Sequence, residues 1–253
     1  MSAFANRSEA HVKAAVIDRL LTGSHVDDDA VLISEMTVAN WSRRADVVLA
    51  NGKLWAFEIK SDADSLARLP GQITAFCTYF EKFTVVAAER FEATILAMIP
   101  EGVGVWIVNA EGTVKQKIAP RQAQLSKAAY ISLMTATELR RLLTANGFRA
   151  AKEAHRVDLE RTAAGLPTSD LASAARDAVK RRHRSRHLDF LGHRQRVGTL
   201  AAMPALRRPK QNRELSPPPP TSLPRTMAEV DIPDDHPLLL QAPGGPVLKR
   251  KVS

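Results

Sequence analysis

RRADVVLANGKLWAFEIK, residues 43–60, decides how the rest of the chain is read. It holds two apolar runs, 47–50 and 54–59, separated by Asn51-Gly52. An Asn-Gly pair between apolar runs is a strong local signal for a β-hairpin. Alternation with a period of two puts Val47 and Leu49 on one face, and Trp55, Phe57 and Ile59 on one face. Joining the two sets into a single buried face requires a loop of odd length, such as 50–52, with Gly52 left-handed. That parity sends Asp46, Glu58 and Lys60 together to the opposite face, where a solvent-facing surface is expected.

Working outward, residues 6–21 read as an amphipathic helix with Val12, Val16 and Leu20 at helical spacing. Glu9 shares that stripe, or else complements the helix dipole from the first turn. Residues 31–37 read as a strand containing Glu35, an acid that needs a metal or Lys60 as partner unless it lies at a solvent-facing edge. Beyond Lys60, the run 61–65 is rich in helix-capping residues. A helix broken early by Pro70 follows, with Ile73, Phe76, Cys77 and Phe80 as its apolar stripe and Gln72 at the stripe's edge. Cys77 on that stripe reads as core. Residues 84–88, 103–108 and, more weakly, 114–119 read as strands, and 89–98 as a helix stopped by Pro100. The resulting order is helix, three strands, helix, strand, helix, strand. A doubly wound nucleotide fold would lead from its first strand into a Gly-rich turn, and no such turn is present.

An acid, a gap of about ten residues, and then acid-x-Lys on a hairpin resembles the PD-(D/E)xK nuclease superfamily, with Ala45 in place of the motif proline. Glu58-Ile59-Lys60-Ser61-Asp62-x-Asp64 followed by Leu69-Pro70-x-Gln72 is similar to an uncharacterised bacterial and prophage branch of it. The resemblance covers residues 5–110 and implies an α/β fold with a restriction-endonuclease-like core. It also implies metal-dependent hydrolysis of phosphodiester bonds in nucleic acid, with DNA ahead of RNA as the substrate and RNA left open. Asp46, Glu58 and the Ile59 carbonyl would hold Mg²⁺ or Mn²⁺, hard cations that favour oxygen ligands. Lys60 would assist the attacking water, with Gln72 beside it and Glu9 and Glu35 as further acids at the metal. Arg43 and Arg44, just before Asp46, would contact phosphate. The competing reading is an inactive nucleic-acid-binding or interaction protein on a nuclease scaffold.

From residue 132 the chain turns helical. Residues 135–146 and 155–164 form a helix–loop–helix with Leu139, Leu142, Leu143, Phe148, Val157 and Leu159 as its core. The pair resembles SAP-type nucleic-acid-binding modules; a plain packing role is the alternative. A helix from residue 168 runs into the basic run 180–187, in which Lys180, Arg181, Arg182, Arg184 and Arg186 are candidate nucleic-acid contacts. Three regions are expected: 1–125 nuclease-like, 126–200 basic and helical, and 201–253 a disordered tail rich in Pro and Arg.

Charge supports that division. The net charge is +9, with 17 Lys+Arg against 16 Asp+Glu in residues 1–150, but 15 against 7 in residues 151–215. A basic block of that kind suggests a polyanionic partner. The single cysteine excludes an intrachain disulfide and four-thiolate zinc sites. No signal peptide or membrane span is legible, so a cytoplasmic protein is expected, with a homodimer compatible.

Overall fold

The computed structural model describes residues 8–23, 26–38, 42–149 and 154–207. The disordered tail expected at 201–253 lies outside them beyond Arg207. The first helix, α1 (Glu9–Thr22), precedes a meander of β1 (Val31–Val38), β2 (Arg43–Asn51) and β3 (Lys53–Lys60). Next come α2 (Leu69–Tyr79), β4 (Lys82–Ala88), a 3₁₀ turn, α3 (Glu92–Met98), β5 (Gly104–Val108) and β6 (Val114–Ile118). The remainder is helical: α4 (Lys127–Ser132), α5 (Ala136–Ala145), α6 (Arg156–Ala163), α7 (Thr168–Val197) and α8 (Thr199–Ala202), closed by a 3₁₀ turn, Met203–Leu206. The six strands form one mixed sheet in sequence order, with β3–β4 and β4–β5 parallel and the other pairs antiparallel. The molecule is thus an α/β protein whose elements come in the expected order.

Both faces of the sheet are buried. Val47, Leu49, Trp55, Phe57 and Ile59 pack with Val12, Val16 and Leu20 of α1 and with Phe190, Ala202, Met203 and Leu206. The hairpin parity is therefore as expected. Its register is not, because the ladder continues through Ala50↔Leu54 to Asn51↔Lys53, leaving Gly52 alone at φ +62° to turn the chain. This sets Leu49 opposite Trp55 and Val47 opposite Phe57, pairing apolar side chains that a loop over 50–52 would misalign by two residues. The opposite face is not open to solvent either. Val48, Ala50, Leu54 and Ala56 lie in a second core with Ile73, Phe76, Tyr130, Leu139, Leu171 and Val179.

Alternation slips once. Val31 and Ile33 belong to the second core, and so do Met36 and Val38. The shift falls at Glu35, whose φ of 58° is positive, and the β1–β2 ladder lapses between Ser34↔Val47 and Met36↔Ala45. Asp46 stands opposite that lapse.

Three other expectations change. Pro70 begins α2 rather than breaking it, because its missing N–H is no loss in a first turn. Cys77 is exposed, while Ile73, Phe76 and Phe80 carry the stripe. In the α5–α6 pair, Leu139, Leu143 and Leu159 are buried, but Phe148 and Val157 are 43% and 62% exposed. These two helices share the second core with the sheet. α7 spans 30 residues, well past the expected end. It buries Leu171, Ala175, Ala178 and Val179 in one core and Phe190 in the other. Among the described residues the helical region is thus continuous with the sheet, in one compact unit. The tail boundary expected at residue 201 moves past Leu206, since Met203 and Leu206 are buried.

Candidate functional site

Where β2 and β3 separate, the ladder is replaced by side chains. Asp46 Oδ2 accepts from the Ile59 N–H at 2.8 Å. On either side of Ile59 in β3, Glu58 and Lys60 emerge beside it, 3% and 4% exposed. Lys60 Nζ donates to Glu58 Oε1 at 2.8 Å and to Gln72 Oε1 at 2.9 Å. The Gln72 amide also donates through Nε2 to Glu58 Oε1, so one glutamine from α2 braces both members of the pair. Just past β3, Asp64 Oδ2 accepts from the Ser61 N–H and hydroxyl, fixing the turn that leaves Lys60.

These groups floor a cleft of about 620 Å³, also lined by Glu9, Thr37, Arg43, Arg44, Ile59, Arg68, Gly71 and Phe76. Burial pushes the Glu58 carboxyl up to about 7, with the Asp46 charge adding to the rise and Lys60 opposing it. Burial raises Asp46 too, against the Ile59 N–H and the charge of Lys13. Glu58 Oε2 is buried and has no hydrogen-bond partner. An orphaned carboxylate oxygen facing a second acid is costly unless a cation completes it. The donor set fits a hard divalent ion, which needs one or two carboxylates and keeps its own waters. Among the described residues no group of three or more His, Cys, Asp or Glu is placed to hold a metal, so the pair stands without a third acid.

Seven of the sequence candidates therefore meet at the cleft besides Asp46: Glu58, Ile59, Lys60, Gln72, Glu9, Arg43 and Arg44. Glu9 is exposed at its edge. Glu35 is not among the lining residues. Its partners are cations: Lys13 at 3.6 Å, Arg44 at 3.4 Å and Arg207 at 3.1 Å, not Lys60. The basic run on α7 does not reach the cleft. Lys180 and Arg184 pair with Asp29. Arg182 donates to the Leu133 carbonyl at 2.8 Å and faces Glu138 at 3.5 Å, and Arg186 donates to the Arg182 carbonyl. Arg181 is exposed.

Two buried charges were not foreseen. Lys13, 2% exposed, follows Val12 on α1, and a lysine at the margin of an apolar stripe ordinarily reads as a snorkelling surface residue. Glu81, 1% exposed, accepts from the Leu54 N–H, the Tyr130 hydroxyl and Arg176. Its partners lie on β3, α4 and α7, and no local pattern announces them.

The fold and the cleft define a class first: an α/β protein with an acid–acid–lysine cluster where an antiparallel hairpin joins a parallel strand pair. Residues 2–207 match the protein family described as Bacteriophage P4 protein cII, and the chain belongs to that family. It is 38% identical over 187 residues to Protein cII of Enterobacteria phage P4, covering 72% of this chain and 70% of that protein. Among solved structures it matches the SPO1766 protein of unknown function from Silicibacter pomeroyi at 19% identity and a TM-score of 0.39. That match covers 58% of this chain and 98% of the other. No helix among the described residues is long and apolar enough to cross a membrane.

Proposed function

We propose that the protein is a divalent-metal-dependent nuclease with a restriction-endonuclease-like core of the PD-(D/E)xK type. It would hydrolyse phosphodiester bonds of nucleic acid, with DNA as the substrate to test first. The observation that carries this reading is the convergence of Asp46, Glu58, Lys60 and Gln72 on one cleft, with Glu58 Oε2 buried and unpartnered. Mg²⁺ or Mn²⁺ would be held by Asp46 and Glu58, with the carbonyl of Ile59, the residue after Glu58, as a third oxygen ligand. Such an ion, when bound, lowers the pKa of a coordinated water and offsets charge on phosphate oxygens. The chain's own groups do the rest. The Lys60 ammonium, fixed by two acceptors, presents its charge to the phosphate and orients the attacking water. Gln72 keeps Glu58 Oε1 and Lys60 in register, leaving Oε2 as the free acceptor. Arg43, Arg44 and Arg68 at the rim meet the anionic backbone.

The test is cleavage of linear, branched and single-stranded DNA and of RNA with Mg²⁺ or Mn²⁺, alongside calorimetric metal titration. Asp46→Asn should lose both metal binding and cleavage. Lys60→Ala should retain the metal while turnover falls by about two to four orders of magnitude, roughly 3–5 kcal/mol of transition-state stabilisation. A Lys60→Ala protein that cuts at the wild-type rate, or a wild type that cuts none of these substrates, would overturn the reading.

A further inference from the structure

We propose that Glu35 organises a phosphate-binding rim beside the cleft, built from Arg44 and Arg207 with Arg43 alongside. This rim takes the sugar–phosphate backbone of the strand flanking the reacting bond. The identity of the polyanion rests on the nuclease reading; the rim itself rests on the following geometry.

One carboxylate faces three cations here. Lys13 Nζ lies 3.6 Å from Glu35 Oε1, Arg207 Nε 3.1 Å from the same oxygen, and Arg44 Nη1 3.4 Å from Oε2. Three cations thus outnumber the acid they share, with Lys13 acting on Asp46 as well. Lys13 is 3% exposed at its side chain and its ammonium has no hydrogen-bond partner, so the excess is expressed at the surface by the arginines. The side chains of Arg44 and Arg207 are 62% and 57% exposed, whereas Glu35 is 24% exposed. Glu35 thus acts as a recessed post with a guanidinium on each of its oxygens. A guanidinium fork suits phosphate better than a point charge does, because it offers parallel donors at fixed spacing.

The backbone supports the assignment. A non-glycine residue at φ 58° is uncommon and persists only where its surroundings over-determine it. The distortion falls where the ladder lapses opposite Asp46, so the rim adjoins the first acid of the cleft. Arg44 itself lines the cleft. Arg207 comes from the far end of the fold, and its place is set by Met203 and Leu206, buried just before it. Arg207 is delivered from far along the chain to an acid that already has two cations, and its pairing with Glu35 leaves the 57% exposed side chain largely in solvent, open to an anion.

The experiment is metal-free binding of the full chain to fluorescent DNA and RNA duplexes by anisotropy, over a salt series. Arg207→Gln and Arg44→Gln should each weaken binding and reduce the log–log salt slope by nearly one. Arg207→Lys should keep the slope. Arg161→Gln, which removes the same charge from an α6 residue paired with Asp158, should leave it unchanged. Thermal melts check that each variant is folded, and Arg44→Gln keeps the test decisive if an Arg207 variant is not. A wild-type slope in both Arg207→Gln and Arg44→Gln, or an equal drop in Arg161→Gln, would overturn the rim while leaving the nuclease reading to its own cleavage test. A wild type that binds neither duplex would overturn both.

Discussion

Glu58 is the residue in which burial, charge and chemistry are most tightly tied. It is 3% exposed, and its carboxyl is raised from an ordinary 4.5 to about 7 by burial first and by Asp46 second. Because the folded protein holds this proton more tightly than the unfolded chain, stability falls as pH climbs from about 4.5 to 7. The loss is on the order of 3 kcal/mol once the group is fully ionised. Glu58→Gln, which keeps the shape without the charge, is expected to raise the metal-free melting temperature at pH 8 and to match wild type near pH 4. A chemical denaturation series across that range would show it, and a constant difference between the two proteins would contradict it. The destabilisation is what a bound cation would relieve, so Mn²⁺ should stabilise wild type more at pH 8 than at pH 5.

At the scale of elements, the sheet is fastened to the C-terminal helices by one buried acid. Burial pushes Glu81 up, but Arg176, the Leu54 N–H and the Tyr130 hydroxyl together hold it below its ordinary value. That stabilisation is present above pH 4.5 and is lost as pH falls through the lowered folded value. Arg176→Met would leave the carboxylate buried without its cation and should cost about 3–5 kcal/mol near neutral pH. The deficit should shrink as acid protonates the carboxylate that the variant leaves without its cation, as read by denaturant midpoints at pH 7 and pH 3. An unchanged midpoint at pH 7 would mean that the tyrosine and backbone donors suffice alone.

For the whole molecule, the basic surplus changes meaning once the chain is folded. Lys180 and Arg184 meet Asp29, Arg176 meets Glu81, and Arg194 meets Asp18, so cations from the C-terminal helices neutralise acids from the N-terminal half. α7 is a beam of the fold before it is a basic surface. A chain ending after Gly165 should therefore fail to fold, since it loses Leu171, Ala175, Val179 and Phe190 from the two cores. A chain ending after Arg207 should melt cooperatively within a few degrees of the full protein. Circular dichroism and melting of the two truncations check both outcomes. A folded protein ending at Gly165 would restore the independent helical region that the composition suggested.

Local patterns were enough for much of this. The hairpin, its parity, the order of elements and the meeting of Asp46, Glu58 and Lys60 follow from alternation and turn chemistry, which act over a few residues, and the resemblance to PD-(D/E)xK nucleases pointed to Gln72 beside them. The register was missed by two residues because cross-strand partners, not the turn alone, choose it. Cys77 was misplaced because a helical stripe drawn from four apolar residues was wider than the face that packs. What only the tertiary structure decided are the long-range pairings: Glu81 with Arg176, Asp29 with Lys180, and Glu35 with Lys13, Arg44 and Arg207. An ion pair has no period and no required spacing along the chain. Its partners are selected by where the packed elements place them, and a charge count by segment cannot anticipate that.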